Sequence, residues 1–163
     1  MTAMEGVAQA RWQADDQLHI TVRYIGEVER PMAEDIALAL GQIHAPALDV
    51  AIRGVGAFEK NGRIDTLWAG VTPHNALLAL HRKVDSALVR IGLEPEHRVY
   101  VPHITLARMP RSAGSGAGVD RWRADQAMLS SDPFGLDMLI LSESQLTRDG
   151  AVYEPVARWP LSA

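Results

Sequence analysis

The chain has 163 residues, an ordinary apolar content of 47%, a formal charge of −4 and no cysteine. That length fits one compact domain or two small lobes sharing a cleft. Missing cysteines exclude disulfide stapling and thiolate catalysis and fit a cytoplasmic setting. The acidic balance argues against nonspecific wrapping of duplex DNA, which needs many phosphate contacts. No run is apolar and long enough to span a membrane.

In chain order, Leu18–Ile25 alternates and ends at Gly26-Glu27, the pattern of a strand followed by a turn. Pro31 suits the first turn of a helix, and Met32, Ile36, Leu40 and Ile43 follow at helical spacing, with Ala45-Pro46 ending it. Leu48–Arg53 reads as a strand, and Gly54-Val55-Gly56-Ala57-Phe58 as a bend or bulge leading to a short strand. Asn61-Gly62 is a hairpin turn, and Ile64–Val71 the returning strand. Thr72 is a candidate cap for a helix starting at Pro73, with an apolar face through Leu77, Leu80, Val84, Leu88 and Ile91 and a stop at Gly92. His74 and His81 read as surface histidines, and His44 and His97 carry no role.

Val99-Tyr100-Val101 leads through Pro102 into the strand His103–Arg108. Residues 110–118 form a small-residue loop without phosphate-binding glycine spacing. Val119–Leu129 reads as a short helix, and Phe134–Leu141 and Val152–Trp159 as strands joined around Asp149-Gly150. The sum is an α+β protein: two pseudo-symmetric lobes of antiparallel sheet with helices on their outer faces, in the order β–α–β–β–α–β.

Two segments nearly repeat one another: Leu18-His19-Ile20-Thr21-Val22 and Pro102-His103-Ile104-Thr105-Leu106. Strand side chains alternate, so His19 shares a face with Thr21, and His103 with Thr105. Packing needs only the apolar positions, so a duplicated His-x-Thr points to a shared cleft. Two histidines facing one phosphate can supply acid and base without a metal. No third ligand stands at metal-binding spacing, so neither a metal nor another cofactor is expected. Asp15 or Asp16 could orient His19. Phe58 and Trp68 fit either core or a surface for base stacking. Arg111, Arg121 and Arg123 read mainly as solvated surface.

The motifs, with LHITVRYIGEV at Leu18–Val28, VPHITLARMP at Val101–Pro110, LWAGV at Leu67–Val71 and VYEPVARWPL at Val152–Leu161, resemble the LigT-like 2H phosphoesterases, the bacterial RNA 2′,3′-cyclic phosphodiesterases also named 2′-5′ RNA ligases. The resemblance implies a single bilobed domain over 1–163, with His19 and His103 as the catalytic pair and Thr21, Thr105 and Arg108 around the phosphate. Strict alternation instead turns Arg108 away from His103 and makes Arg23 the phosphate neighbour, unless a bulge intervenes. The family's opening strand and most of its first helix are expected to be missing here, so the chain reads as N-terminally shortened, and as a monomer unless a second subunit replaces that strand. The implied activity is hydrolysis of 2′,3′-cyclic ends to 2′-phosphates, with reversible ATP-independent joining as a companion reaction. The partners implied are RNA ends or a small cyclic phosphate. The alternatives are a non-catalytic RNA-end binding module, or a phosphodiesterase for a small cyclic nucleotide or an ADP-ribose cyclic phosphate.

Overall fold

The computed structural model describes residues 7–110 and 117–162. The fold is α+β, with antiparallel sheet and helices packed on its apolar side. The chain forms two units from interleaved segments. The first gathers the described residues of Met1–Ile20, Ala51–Thr72 and Pro102–Pro133, and the second those of Thr21–Val50, Pro73–Val101 and Phe134–Ala163.

In the first unit, β1 (Arg11–Trp12), β4 (His103–Arg108), β3 (Arg63–Thr72) and β2 (Leu48–Lys60, here from Ala51 on) pair antiparallel in the order β1-β4-β3-β2. The β2–β3 turn has Asn61 and Gly62 at φ 54° and 74°. Two successive positive φ values are what a tight two-residue hairpin demands, and Asn-Gly supplies them at little cost. The register shifts between Ile52 and Val55, at the start of the stretch read as a bend or bulge. One face of this sheet carries Leu67, Ala69 and Ala107, all at most 1% exposed, packed with Val119 and Trp122 of α3 (Ala117–Asp125).

In the second unit, α1 (Arg30–Gly41) and α2 (His74–Arg90) pack with the hairpin β6 (Met138–Thr147) and β7 (Gly150–Pro160) around Ile36, Leu40, Leu80, Val84, Leu88, Leu139 and Leu161. Residues Leu48–Val50 pair with β5 (Phe134–Leu136). Both long helices thus belong to one unit and the central hairpin to the other. Apolar helix faces that lie on each other bury more than each would alone on a short strand pair. No helix of the described residues is long and apolar enough to cross a membrane.

Several local expectations change. Leu18–Ile25 is not a regular strand: only Ile20 bridges, to Ile104. Its carbonyls find side chains instead of a ladder, Thr21 O accepting from the Tyr100 hydroxyl (3.1 Å) and Val22 O from His81 Nδ1 (2.7 Å). Val99–Val101 is likewise irregular. Pro73, not Thr72, occupies the cap position of α2, and the Thr72 hydroxyl donates to Ala51 O. The expected strand Phe134–Leu141 divides at Asp137, because its two halves pair with different partners. His81 is 7% exposed, not a surface group, and stacks on Tyr100 at 4.4 Å with the planes 3° apart. Most of the 110–118 loop, Arg111 included, lies outside the described residues.

Candidate functional site

The first unit holds both histidines. Ile20 and Ile104 are antiparallel partners. His19 and His103 each adjoin one member of this bridge in the chain. His19 is exposed and His103 half-buried.

Each histidine is held differently. His19 Nδ1 lies 2.7 Å from the Gln17 carbonyl. A carbonyl only accepts, so Nδ1 carries the proton, and neutral His19 has its lone pair on Nε2. The backbone of Gln17 therefore supplies at Nδ1 what Asp15 or Asp16 was expected to supply. His103 stands among aromatic rings. Phe58 meets it edge-to-face at 4.8 Å, Trp68 lies 5.9 Å away, and Phe58 and Trp68 touch at 5.3 Å. Thus Phe58 and Trp68, left between core and binding surface by the sequence, seat the second histidine.

Trp68 can lie there because Gly56 stands opposite it in the register. A Cβ at position 56 would come within 2.2 Å of Trp68 Cζ2. The indole Nε1 is buried and has no hydrogen-bond partner.

The parity of Arg108 is resolved by a bulge. Trp68 pairs with Thr105, but Leu67 pairs with Ala107, so Leu106 is the extra residue. Leu106 and Ala107 both join the core, at 8% and 0% exposure. The next residue, Arg108, is opposite Thr66, which alternates in phase with Trp68 and Gly70. Arg108 therefore shares the face of His103 and Thr105, and its Nη1 donates to Thr66 Oγ1 at 2.9 Å. The Gln13 N–H satisfies the Leu106 carbonyl. No sequence signal marks Thr66 as a partner of Arg108, since only the register joins them.

Arg23 is a correction. In the second unit its Nε donates to Asp85 Oδ1 at 2.8 Å, and its terminal nitrogens donate to the Tyr24 and Glu94 carbonyls. Its side chain is 7% exposed. The guanidinium is committed to anchoring the segment after Thr21, and alternation could not reveal partners so distant in sequence. Burial would raise the Asp85 pKa, but Arg23, the Glu96 N–H and His81 outweigh it and hold the carboxyl below its ordinary value. Thr21, the motif equivalent of Thr105, begins this unit.

Among the described residues no group of three His, Cys, Asp or Glu side chains could hold a metal ion. A family model described as the 2′-5′ RNA ligase superfamily matches residues 7–129. The RNA 2′,3′-cyclic phosphodiesterase of Aeropyrum pernix is 32% identical over 141 residues, covering 86% of this chain and 80% of the relative. That of Methanocaldococcus jannaschii is 28% identical over 144 residues, covering 88% and 80%. The crystal structure of E. coli LigT complexed with 3′-AMP superposes with a TM-score of 0.74 at 24% identity, covering 95% of this chain and 83% of that one. The chain belongs to the 2′-5′ RNA ligase superfamily.

Proposed function

We propose that this protein is an RNA 2′,3′-cyclic phosphodiesterase that opens the cyclic end to a 2′-phosphate with His19 and His103 as acid and base. The Ile20–Ile104 bridge supports the reading, because its two members are the chain neighbours of His19 and His103. The names of the relatives at 28–32% identity support the substrate class.

In this reading one imidazole takes a proton from water as the water oxygen attacks phosphorus. The P–O3′ bond breaks on the opposite side, and the other imidazole protonates the departing oxygen. We assign His103 as base and His19 as acid: His19 enters the reaction as the imidazolium, with Nδ1–H held by the Gln17 carbonyl, and gives the proton on Nε2 to the departing oxygen. Thr105, Arg108 and, by its place in the motif, Thr21 donate to the nonbridging oxygens. They accelerate the reaction to the extent that they bind the transition state better than the substrate.

The test is turnover of a nucleoside 2′,3′-cyclic phosphate followed by phosphorus NMR. A 2′-phosphate product is expected, and His19→Ala and His103→Ala should each lower turnover roughly 10²-fold or more. A predominant 3′-phosphate would overturn the substrate orientation. Full activity in either folded histidine variant would remove that residue from the mechanism.

A further inference from the structure

Beyond Ile20 the first motif leaves the sheet, and the main chain bends at Val22. Two successive carbonyls there are taken by side chains. The Tyr100 hydroxyl donates to Thr21 O at 3.1 Å, and His81 Nδ1 donates to Val22 O at 2.7 Å. In extended backbone successive carbonyls point to opposite sides, and the bend at Val22 lets one stacked pair of rings serve both. The pair is itself fixed. Its rings lie 4.4 Å apart with planes 3° from parallel, His81 is carried by α2, and the Tyr100 carbonyl accepts from His74 Nε2 of the same helix at 3.2 Å. All of these residues belong to the second unit.

The residue held this way is a motif threonine. Thr66, Thr72 and Thr147 engage their hydroxyls inside the protein. The Thr21 hydroxyl makes no such bond among the described residues, so the place of that hydroxyl follows from its main chain. Threonine is branched at Cβ and has few χ1 rotamers, so a fixed peptide leaves its hydroxyl a small set of directions. A misplacement of about an ångström is enough to cost a reaction much of its rate. Arg23 fixes the chain further along, at Tyr24 O, whereas Tyr100 holds the peptide of Thr21 itself.

We infer that Tyr100, braced by His81, is a positioning residue for the reaction: it holds the Thr21 peptide so that the Thr21 hydroxyl meets a nonbridging oxygen of the phosphate. The inference rests on the cyclic phosphodiesterase reading for the role of Thr21, and adds to it a group that acts only through that threonine. The Tyr100 hydroxyl is committed to Thr21 O and takes no part in proton transfer.

The experiment is a double-mutant cycle on kcat/KM for a nucleoside 2′,3′-cyclic phosphate, at a temperature where melts show every variant folded. Tyr100→Phe keeps the ring that stacks on His81 and removes only the hydroxyl. It should lower kcat/KM roughly fivefold, the scale of one net hydrogen bond. In the Thr21→Ala background the same change should have no effect, because the group it positions is gone. Thr21→Ser keeps a hydroxyl and should restore the sensitivity to Tyr100→Phe. A role confined to stability would leave kcat/KM of the folded enzyme unchanged in every background. An equal loss with and without a hydroxyl at position 21, or no loss in Tyr100→Phe, would overturn the inference, as would wild-type kcat/KM in Thr21→Ala. If wild type turns over no cyclic phosphate, the phosphodiesterase reading fails separately, and the dissociation constant of a nucleoside 2′-phosphate replaces kcat/KM in the same cycle. Tyr100→Phe should then weaken binding only where position 21 carries a hydroxyl. Weakening that ignores position 21, or a wild type that does not bind the nucleotide, would refute the role of Tyr100.

Discussion

Gly56 is the residue on which the seating of His103 depends, and Gly56→Ala should show it. A Cβ added there would stand 2.2 Å from Trp68 Cζ2, 2.3 Å from Cη2 and 2.7 Å from Cε2. The closest approach is more than an ångström inside ordinary van der Waals contact, which begins near 3.4 Å. Three atoms of one rigid ring are involved, so no small rotation clears them and the indole must swing or the strands must part. Overpacking of this kind costs about 1–3 kcal/mol. For a chain of this size that corresponds to a fall of roughly 2–12 °C in Tm. The displaced indole is in contact with Phe58 and lies beside His103, so turnover of a 2′,3′-cyclic phosphate should fall as well, by roughly 10- to 100-fold if the imidazole moves by about an ångström. The assay pairs a thermal melt with initial rates, and adds Trp68→Phe in a double-mutant cycle. Phe lacks the clashing atoms, so Gly56→Ala with Trp68→Phe should be more stable than the sum of the two single losses predicts. A wild-type melt for Gly56→Ala, or strictly additive losses in the double variant, would refute the packing argument.

Other consequences follow from the second unit. Arg23→Met leaves Asp85, 20% exposed, without its guanidinium and frees two carbonyls, so it should lose about 2–3 kcal/mol, read as a lower Tm, while turnover of the remaining folded enzyme stays near wild type. A collapse of kcat with an unchanged Tm would return Arg23 to the phosphate. The Arg98 guanidinium and N–H hold the Glu96 carboxyl down at about 2 from its ordinary 4.5. Because the folded value is the depressed one, this stabilisation is present above pH 4.5 and disappears as pH falls toward 2. Melts across that window should flatten in Glu96→Gln, and an identical pH profile would contradict the pairing. Burial raises the Tyr100 hydroxyl to about 12, so its stabilisation is full below pH 10 and is lost as pH rises toward 12. Tyr100→Phe should remove that alkaline sensitivity and cost about 1 kcal/mol at neutral pH through the lost bond to Thr21 O. Alkaline melts that match wild type would refute it.

The sequence by itself determined what short-range chemistry controls. The period-two alternation of β2 to β4, the helical spacing of α1 and α2, and Asn61-Gly62 are local signals, and local sterics decide them. The two His-x-Thr segments were legible for the same reason, since four residues carry each motif. Tertiary structure decided where partners are remote. Arg23 and Asp85 are 62 positions apart, so nothing around Arg23 could separate an anchor from a phosphate ligand. His81 read as a surface residue because its carbonyl acceptor and its stacking partner belong to other segments. The segment after Leu18 has the composition of a strand, but a strand exists only where a neighbour offers a ladder, and here Tyr100 and His81 side chains take its carbonyls. The bulge at Leu106 is likewise a property of two strands, not one. It reverses the face of every residue beyond it, which is why Arg108 joins His103, and why the cross-strand neighbours Arg11 and Thr66 emerge only from the register.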